Sequence, residues 1–380
     1  MPSSLSRHLL DTLIQAHDIG DLSPEQMADL FRNEPGIESF LPDGYFVTDP
    51  RNGDRILFNA ARAHRPHDNR PSESQVDTAE KECIICQGQT TGILDVAELS
   101  QGQTFINKNL FPVLFPVVNH LPDSRSGLPA NGADEESGTV RGLHFLQWTS
   151  SIHNKDWHNM PDGDRLVVME RLAALEKKLI EASAELFHRT PSAPGELPTG
   201  YVLITKNFGR LVGGSLAHGH QQIALSSVMP RRFADNRRFE QSRRETFSTY
   251  LLRENPTNLT LRDYGPAVLL VPYFMRRPYD MMLLFKNGGR SYLHQLSQAE
   301  LQALADGWQD AIRLIRAIMP AIGRETAYNI LTNNGPGAGL YFEFQPYTQE
   351  FGGFEQLGLL VCQANPAGAA GQLKQLLATF

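Results

Sequence analysis

The chain has 380 residues, 41% of them hydrophobic, and 35 Lys and Arg against 42 Asp and Glu give it a formal charge of -7. That length and apolar content suit a folded protein of one large or two moderate domains, and the negative balance argues against a general nucleic-acid binder, which needs a positive field to displace counterions from phosphate. Three cysteines make no disulfide framework, the N-terminal MPSSLSRHLLDTLIQAHDIG builds no apolar leader, and no stretch runs to eighteen apolar residues, so a cytoplasmic protein without a membrane partner is expected.

In chain order, residues 5 to 33 read as helical. Leu9, Leu10, Leu13 and Ile14 recur at helical spacing, and Ser23 with Pro24 opens a second helix in LSPEQMADLF. The strand candidates GYFVTD and RILFN follow, then a polar loop at 67 to 78 and the C-x-x-C of KECIICQG. A second polar loop, 121 to 138, leads to the strand candidate LHFLQW and to a long helix in GDRLVVMERLAALEKKLIEASAELFH. After a third loop at 190 to 200 come the strand YVLITKN, a glycine-bearing turn and SLAHGHQQI. The Arg-rich stretch RRFADNRRFEQSRRETF reads as a solvated helix face, with a phosphate-attracting lid as the alternative. The second half repeats the order: strands AVLLVPY and MMLLF, a helix in SQAELQALADGWQDAIRLIRAIM, and the strands YNILTNN and GLYFEFQPYTQ. Tyr201 to Asn207 can be laid over Tyr328 to Asn334, so two copies of one unit in tandem are expected.

On an extended strand His218, His220 and Gln222 project from one face and can share a site. Taken alone, the pattern reads as an ordinary pair of surface or core histidines. Gly209, Gly213 and Gly214 before the strand would let the backbone approach a phosphate and present its N–H groups. Cys83 and Cys86 have zinc-ligand spacing, with a redox pair as the alternative, and zinc asks for two further ligands. His144, His153, His158 and His218 are the candidates. Cys362, in LGLLVCQ, reads as a small buried hydrophobe.

These residues resemble the galactose-1-phosphate uridylyltransferases of the histidine-triad superfamily and the related nucleoside-diphosphate-sugar phosphorylases, from about residue 45 to about 370. DPRNGDRILFNAARAHRP is similar to the family's N-terminal segment at Arg62, Arg65 and Pro66, CIIC to its first zinc pair, and NLFPVL to its Asn-containing segment at Asn109. His153 falls where the family has a zinc-binding histidine. NFGRLVGGSLAHGHQQ matches at Asn207, Gly209, Gly213, Ser215, His218, His220 and Gln222. VPYFMRRPYDMMLLF and GGFE resemble the family's later motifs.

The resemblance implies an α+β fold: a tandem pair of histidine-triad-like units forming a mainly antiparallel half-barrel sheet flanked by helices. The divisions would be an N-terminal helical extension over 1–40, a catalytic unit over 41–230 and a second unit without the histidines over 231–380. It implies zinc on Cys83, Cys86, His153 and His218, and His220 as a nucleophile that takes a nucleotidyl group from a nucleoside-diphosphate hexose and passes it to a hexose 1-phosphate. Gln222 and Ser215 would donate to phosphoryl oxygens. Arg62, Arg65, Asn109, Asn207, Gly209, Gly213 and Gly214 would line the substrate site, with Phe354 and Glu355 reaching the neighbouring subunit of a homodimer. Inorganic phosphate as acceptor, with an ADP-sugar or dinucleoside polyphosphate donor, is the second reading; a nucleotide-sugar sensor without turnover is the third. Three departures from the family stand out: Gly219 replaces the proline of H-P-H and leaves the backbone less restrained, Ile56 stands near the family's tryptophan, and LFKNGGRS and LYFEFQP carry no histidines for a second metal.

Overall fold

The structure is a computed structural model and describes residues 4–59, 61, 83–116, 137–190 and 197–380. The N-terminal region forms α1 (Arg7–Leu13) and α2 (Pro24–Arg32), joined through a 3-10 turn at Ile19–Asp21. Ser23 caps α2 as its sequence suggests, its side chain accepting from the Gln26 N–H while Gln26 reaches back to the Ser23 N–H. These helices are not detached: Ile19, Met27 and Phe31 join the main hydrophobic core.

A small sheet of β1 (Tyr45–Thr48), β2 (Arg55–Leu57) and β5 (Ser137–Thr139) stands apart from one ten-stranded sheet. The large sheet contains β3 (Ile93–Glu98), β4 (Gln103–Lys108), β6 (Gly142–Trp148), β7 (Tyr201–Phe208), β8 (His220–Ser226), β9 (Thr260–Asp263), β10 (Ala267–Leu270), β11 (Met281–Phe285), β12 (Tyr328–Asn333) and β13 (Tyr341–Pro346). Its order is β3-β4-β6-β8-β7-β12-β13-β11-β10-β9, and every neighbouring pair is antiparallel. The expected α+β fold with a mainly antiparallel sheet is therefore present. The order is a palindrome in the sense of the repeat. β3, β4, β6, β8 and β7 in one half correspond to β9, β10, β11, β13 and β12 in the other, and the halves meet along the β7–β12 pair.

The long helices α3 (Asp162–Leu186) and α6 (Gln298–Ala321), with α8 (Pro366–Leu377), cover one face and enclose the core with Val202, Ile204, Tyr328, Ile330, Phe342 and Phe344. The other face carries α4 (Arg231–Arg243) and α5 (Phe247–Glu254) over the second half, and α1 and the small sheet over the first. The letter overlay of Tyr201 on Tyr328 needs correction. Val202 and Ile204 point to the helix layer, as do Tyr328 and Ile330, so the overlay pairs residues from opposite faces. In a period-two structure a shift of one residue inverts every side chain.

β3, β4, β5, β9, α5 and α8 have no counterpart among the predicted elements, because their apolar patterns are short or diluted by Gly, Ala and polar residues. Among the described residues no helix is long and apolar enough to cross a membrane. The arginines of α4 behave as a surface face: Arg231 and Arg238 pair with Asp235, Arg232 with Glu343, and Arg243 lies over the Phe239 and Tyr250 rings. Cys362 is half-buried at the margin of the core.

Candidate active site and metal centre

His220 begins β8 and pairs with Trp148 at the end of β6. His220, Gln222 and Ala224 share the face away from α3, while Gln221 points into the helix layer, donating to the Gln147 side chain and accepting from the Trp157 indole. Two apolar covers flank this face. On one side Leu5, Leu10, Cys83, Ile85, Phe105 and Trp148 cluster beneath α1; on the other, Phe46, Leu114 and Val140 pack on Ala224. Half-buried Gln222 lies between the two covers, next to buried His220.

The four residues expected to hold a metal converge. One ligand atom each from Cys83, Cys86, His153 and His218 lies within 4.8 Å of all the others. The Sγ to Nδ1 distances are 3.6 Å for Cys83 and His218, 3.6 Å for Cys86 and His218, and 3.7 Å for Cys86 and His153. A tetrahedron with bonds of about 2.3 Å to sulfur and about 2.1 Å to nitrogen has S···N edges of about 3.6 Å. The donor set and its spacing therefore fit zinc. His218 Nε2 lies 2.7 Å from the Ser150 carbonyl oxygen, which can only accept. The proton is thus on Nε2, leaving Nδ1 free to ligate. The cysteines sit on a turn closed by Gln87 N–H to Cys83 C=O and Gly88 N–H to Ile85 C=O, and His153 lies in the loop between β6 and α3.

The nucleophile candidate is oriented in the same way. His220 Nδ1 is 2.8 Å from the His218 carbonyl oxygen, so Nδ1 carries the proton and the Nε2 lone pair is available for attack. Burial pushes this imidazole down to about 4, against a smaller opposing effect of the His218 carbonyl. The Trp148 ring is 4.9 Å from the His220 ring, centroid to centroid, and its indole N–H donates to Asn107.

Several other expected site residues make hydrogen bonds within the chain. Gly213 N–H donates to the Arg210 carbonyl and Gly214 N–H to the Gly209 carbonyl, so these donors close the turn and are not presented to a phosphate. The glycines are needed for the turn itself: Gly209 and Gly213 have φ of 90° and 85°, and a Cβ on Gly209 would sit 2.8 Å from the Thr326 carbonyl oxygen. Ser215 follows this turn, half-buried, and Asn207 lies near the end of β7 opposite Asn329. The Asn109 side chain accepts from the Phe111 N–H at 2.9 Å and contacts the His144 ring, which itself accepts from the Val113 N–H. His144 thus secures a loop, and His158, half-buried and not one of the four clustered residues, is pushed down to about 4 by burial and by Arg316. Phe354 and Glu355 lie on the short helical turn α7 (Gly353–Gln356) after β13, where Glu355 accepts from the Gly352 and Val361 N–H groups. Arg62 and Arg65 lie outside the described residues.

Position 219 also differs from expectation. A Cβ there would meet Asp156 Cγ and Thr149 Oγ1, each at 2.6 Å, so Gly219 is tightly enclosed rather than loosely held. Around it lie residues the sequence reading did not single out: Thr149, Asp156 and Lys206. Burial pushes the Asp156 carboxyl up, but the Lys206 ammonium outweighs it and holds the acid below its ordinary range. Lys206 had a signal in the sequence: it continues the inward phase of Val202 and Ile204 in YVLITKN, where a cation demands a partner. In the second half the face that corresponds to that of His220 carries Tyr341 donating to Asn236 and Asn333 donating to Glu343.

No protein-family model and no curated protein sequence matches the chain. Solved structures do. A uridylyltransferase superposes with a TM-score of 0.64 at 18% identity, covering 88% of this chain and 99% of its own. An ADP-glucose phosphorylase from Arabidopsis thaliana with bound ADP-glucose gives 0.59 at 16%, covering 87% and 98%. A GalT-like protein from Arabidopsis thaliana gives 0.58 at 15%, covering 87% and 98%. The chain has the fold of these proteins, as its ordered motifs led one to expect.

Proposed function

We propose that this protein is a zinc-containing nucleotidyltransferase that moves a nucleoside monophosphate from a nucleoside-diphosphate hexose to a hexose 1-phosphate through a covalent intermediate on His220. The observation that carries the reading is the His218–His220 arrangement: Nδ1 of His220 engaged by the His218 carbonyl, Nε2 free, and His218 itself in the Cys83–Cys86–His153 cluster. His220 Nε2 attacks the α-phosphorus, an N–P bond forms, and the bond from phosphorus to the bridging oxygen breaks, releasing hexose 1-phosphate. A phosphate oxygen of the second hexose 1-phosphate then attacks the same phosphorus and restores the free imidazole. Positive charge that builds on the ring during attack is shared through Nδ1–H with the His218 carbonyl. Gln222, two residues on and on the same face, is placed to donate to a phosphoryl oxygen as charge shifts there. Cys83, Cys86, His153 and His218 would hold zinc, which would serve structure there by fixing the strand start from which His220 projects.

Likeness to both a uridylyltransferase and an ADP-glucose phosphorylase supports a nucleotide-sugar donor and leaves two acceptor classes to separate. The test is incubation with α-phosphate-labelled UDP-glucose and ADP-glucose. The parent is expected to retain label, and His220→Ala to retain none while keeping its zinc. Equal labelling of the variant would refute the assignment, and discharge of the label by inorganic phosphate but not by hexose 1-phosphate would make the protein a phosphorylase. We also propose a homodimer, in which the apolar turn after β13, with Phe354 66%, Leu357 86% and Leu359 65% exposed, is covered by the second copy.

A further inference from the structure

Beneath the nucleophile lies a buried ion pair that nothing in the transfer reaction itself requires. Lys206 Nζ, on the inward face of β7, is 2.8 and 3.1 Å from the two carboxylate oxygens of Asp156, and both side chains are nearly inaccessible. The same ammonium donates to the His220 carbonyl at 3.2 Å. Asp156 in turn accepts from the Trp157 N–H at 2.9 Å. Thr149 donates its N–H to the Gly219 carbonyl at 3.0 Å, and its single hydroxyl proton is shared between that carbonyl at 2.8 Å and the Asp156 carboxylate at 3.1 Å.

Three successive carbonyls are fixed by this arrangement. The His218 oxygen takes the His220 Nδ1 proton, the Gly219 oxygen takes Thr149, and the His220 oxygen takes Lys206. Pairing between β7 and β8 stops at Thr205 and Gln222, so at His220 that neighbour no longer supplies a ladder bond. Lys206 replaces it. Gly219 completes the fit, because any larger residue would displace the Asp156 carboxylate or the Thr149 hydroxyl.

We propose that Lys206 and Asp156 are positioning residues: they clamp the peptide between His218 and His220 and so aim the His220 ring. A buried ion pair is a poor source of net stability, since apolar residues of similar volume usually serve as well or better. Geometry is the return on this one. The proposal rests on the reading of His220 as nucleophile, and its test separates the two.

The variants are Lys206→Met, which removes the ammonium at similar volume, and the double variant Lys206→Met with Asp156→Asn, which leaves no buried charge unpaired. The double variant is the one to use if the single one does not fold. Single-turnover labelling by the α-phosphate-labelled donor should slow by about a hundredfold in both, the scale expected when a reacting group is misaimed by about 1 Å. Donor affinity and zinc content should stay close to the parent's. Thermal stability should fall in the single variant and recover in the double, while the labelling rate does not recover. A double variant that regains both stability and labelling rate would overturn the proposal, because the pair would then matter only through an unpaired charge. If the parent itself takes no label, the nucleophile reading fails and long-range 15N–1H spectra of the histidines decide the positioning role. Parent His220 should then be held as the Nδ1–H tautomer and the variants as a mixture, and identical spectra would overturn the clamp.

Discussion

Leu10→Ala tests whether the N-terminal helix locks the metal loop. α1 has seven residues, too few to persist without tertiary packing. Its order comes from burying Leu5 and Leu10, with Leu9 at the margin, against Cys83, Ile85 and Trp148. Leu10 is fully buried, Leu9 packs so closely on the cysteine turn that a Cβ at Gly88 would strike it, and Leu5 N–H donates to the Ser151 carbonyl at 2.9 Å. Truncating a leucine in such a setting costs about 2–5 kcal/mol. This cluster is separate from the main core, so the loss should appear as easier local opening of α1 and the cysteine turn rather than as global unfolding. At about 1.4 kcal/mol per factor of ten, even the lower figure makes zinc transfer to a chelator about 30-fold faster. The assay is the rate of zinc release to a colorimetric chelator at 25 °C, beside thermal denaturation. Leu304→Ala, a fully buried change in the main core, serves as the control that lowers the melting temperature without speeding release. Unchanged zinc release in Leu10→Ala, with a lowered melting temperature, would refute the argument.

Asp280 gives a pH dependence whose sign is fixed. Burial pushes its carboxyl up from the ordinary 3.8 to about 7, so between those values the unfolded state gives up its proton first and stability falls as pH rises. At about 1.4 kcal/mol for each tenfold change in proton affinity the loss reaches about 4 kcal/mol. Asp280→Asn keeps an acceptor for the Arg277 N–H and is expected to melt higher than the parent at pH 8 and equally at pH 4; a parallel pH profile of melting temperature would refute this. For the assembly, changing Leu357 and Leu359 together to Ser should convert a dimer into monomers in sedimentation with little change in melting temperature, and an unaltered sedimentation coefficient would remove this turn from the interface. The labelling of His220 and the Lys206 clamp are decided by the experiments given with them.

Much of the site was legible because its motifs are local. The two-residue period that aligns His218, His220 and Gln222, the C-x-x-C spacing, and the Ser23 cap of α2 each need only a few neighbouring residues, and backbone geometry then dictates where side chains point. The helical period likewise marked α3 and α6 from their sequences. Other features have no local signature. Cys83 and His218 are 135 residues apart, and spacing alone could not choose among four histidines; the antiparallel pairing of β6 with β8 brings His153 and His218 together. The glycines before β8 suggested a phosphate cradle, yet the Gly213 and Gly214 N–H groups close the turn, because which carbonyl an amide meets depends on φ angles that composition does not specify.

Lys206 could be flagged as a buried cation from its phase in β7, but its partner lies 50 residues earlier, in a loop whose path is set by how β6 runs into α3. Face and register belong to the same class: the letters of YVLITKN and YNILTNN align, while the sheet places them one residue out of step. The sequence determined the strongly periodic strands and helices and the chemical identity of the candidate site groups, since these follow from periodicity and residue type. Only the tertiary structure decided which thiolates, imidazoles, ammonium and carboxylate meet, because distances between residues far apart in the chain are fixed by sheet order and packing.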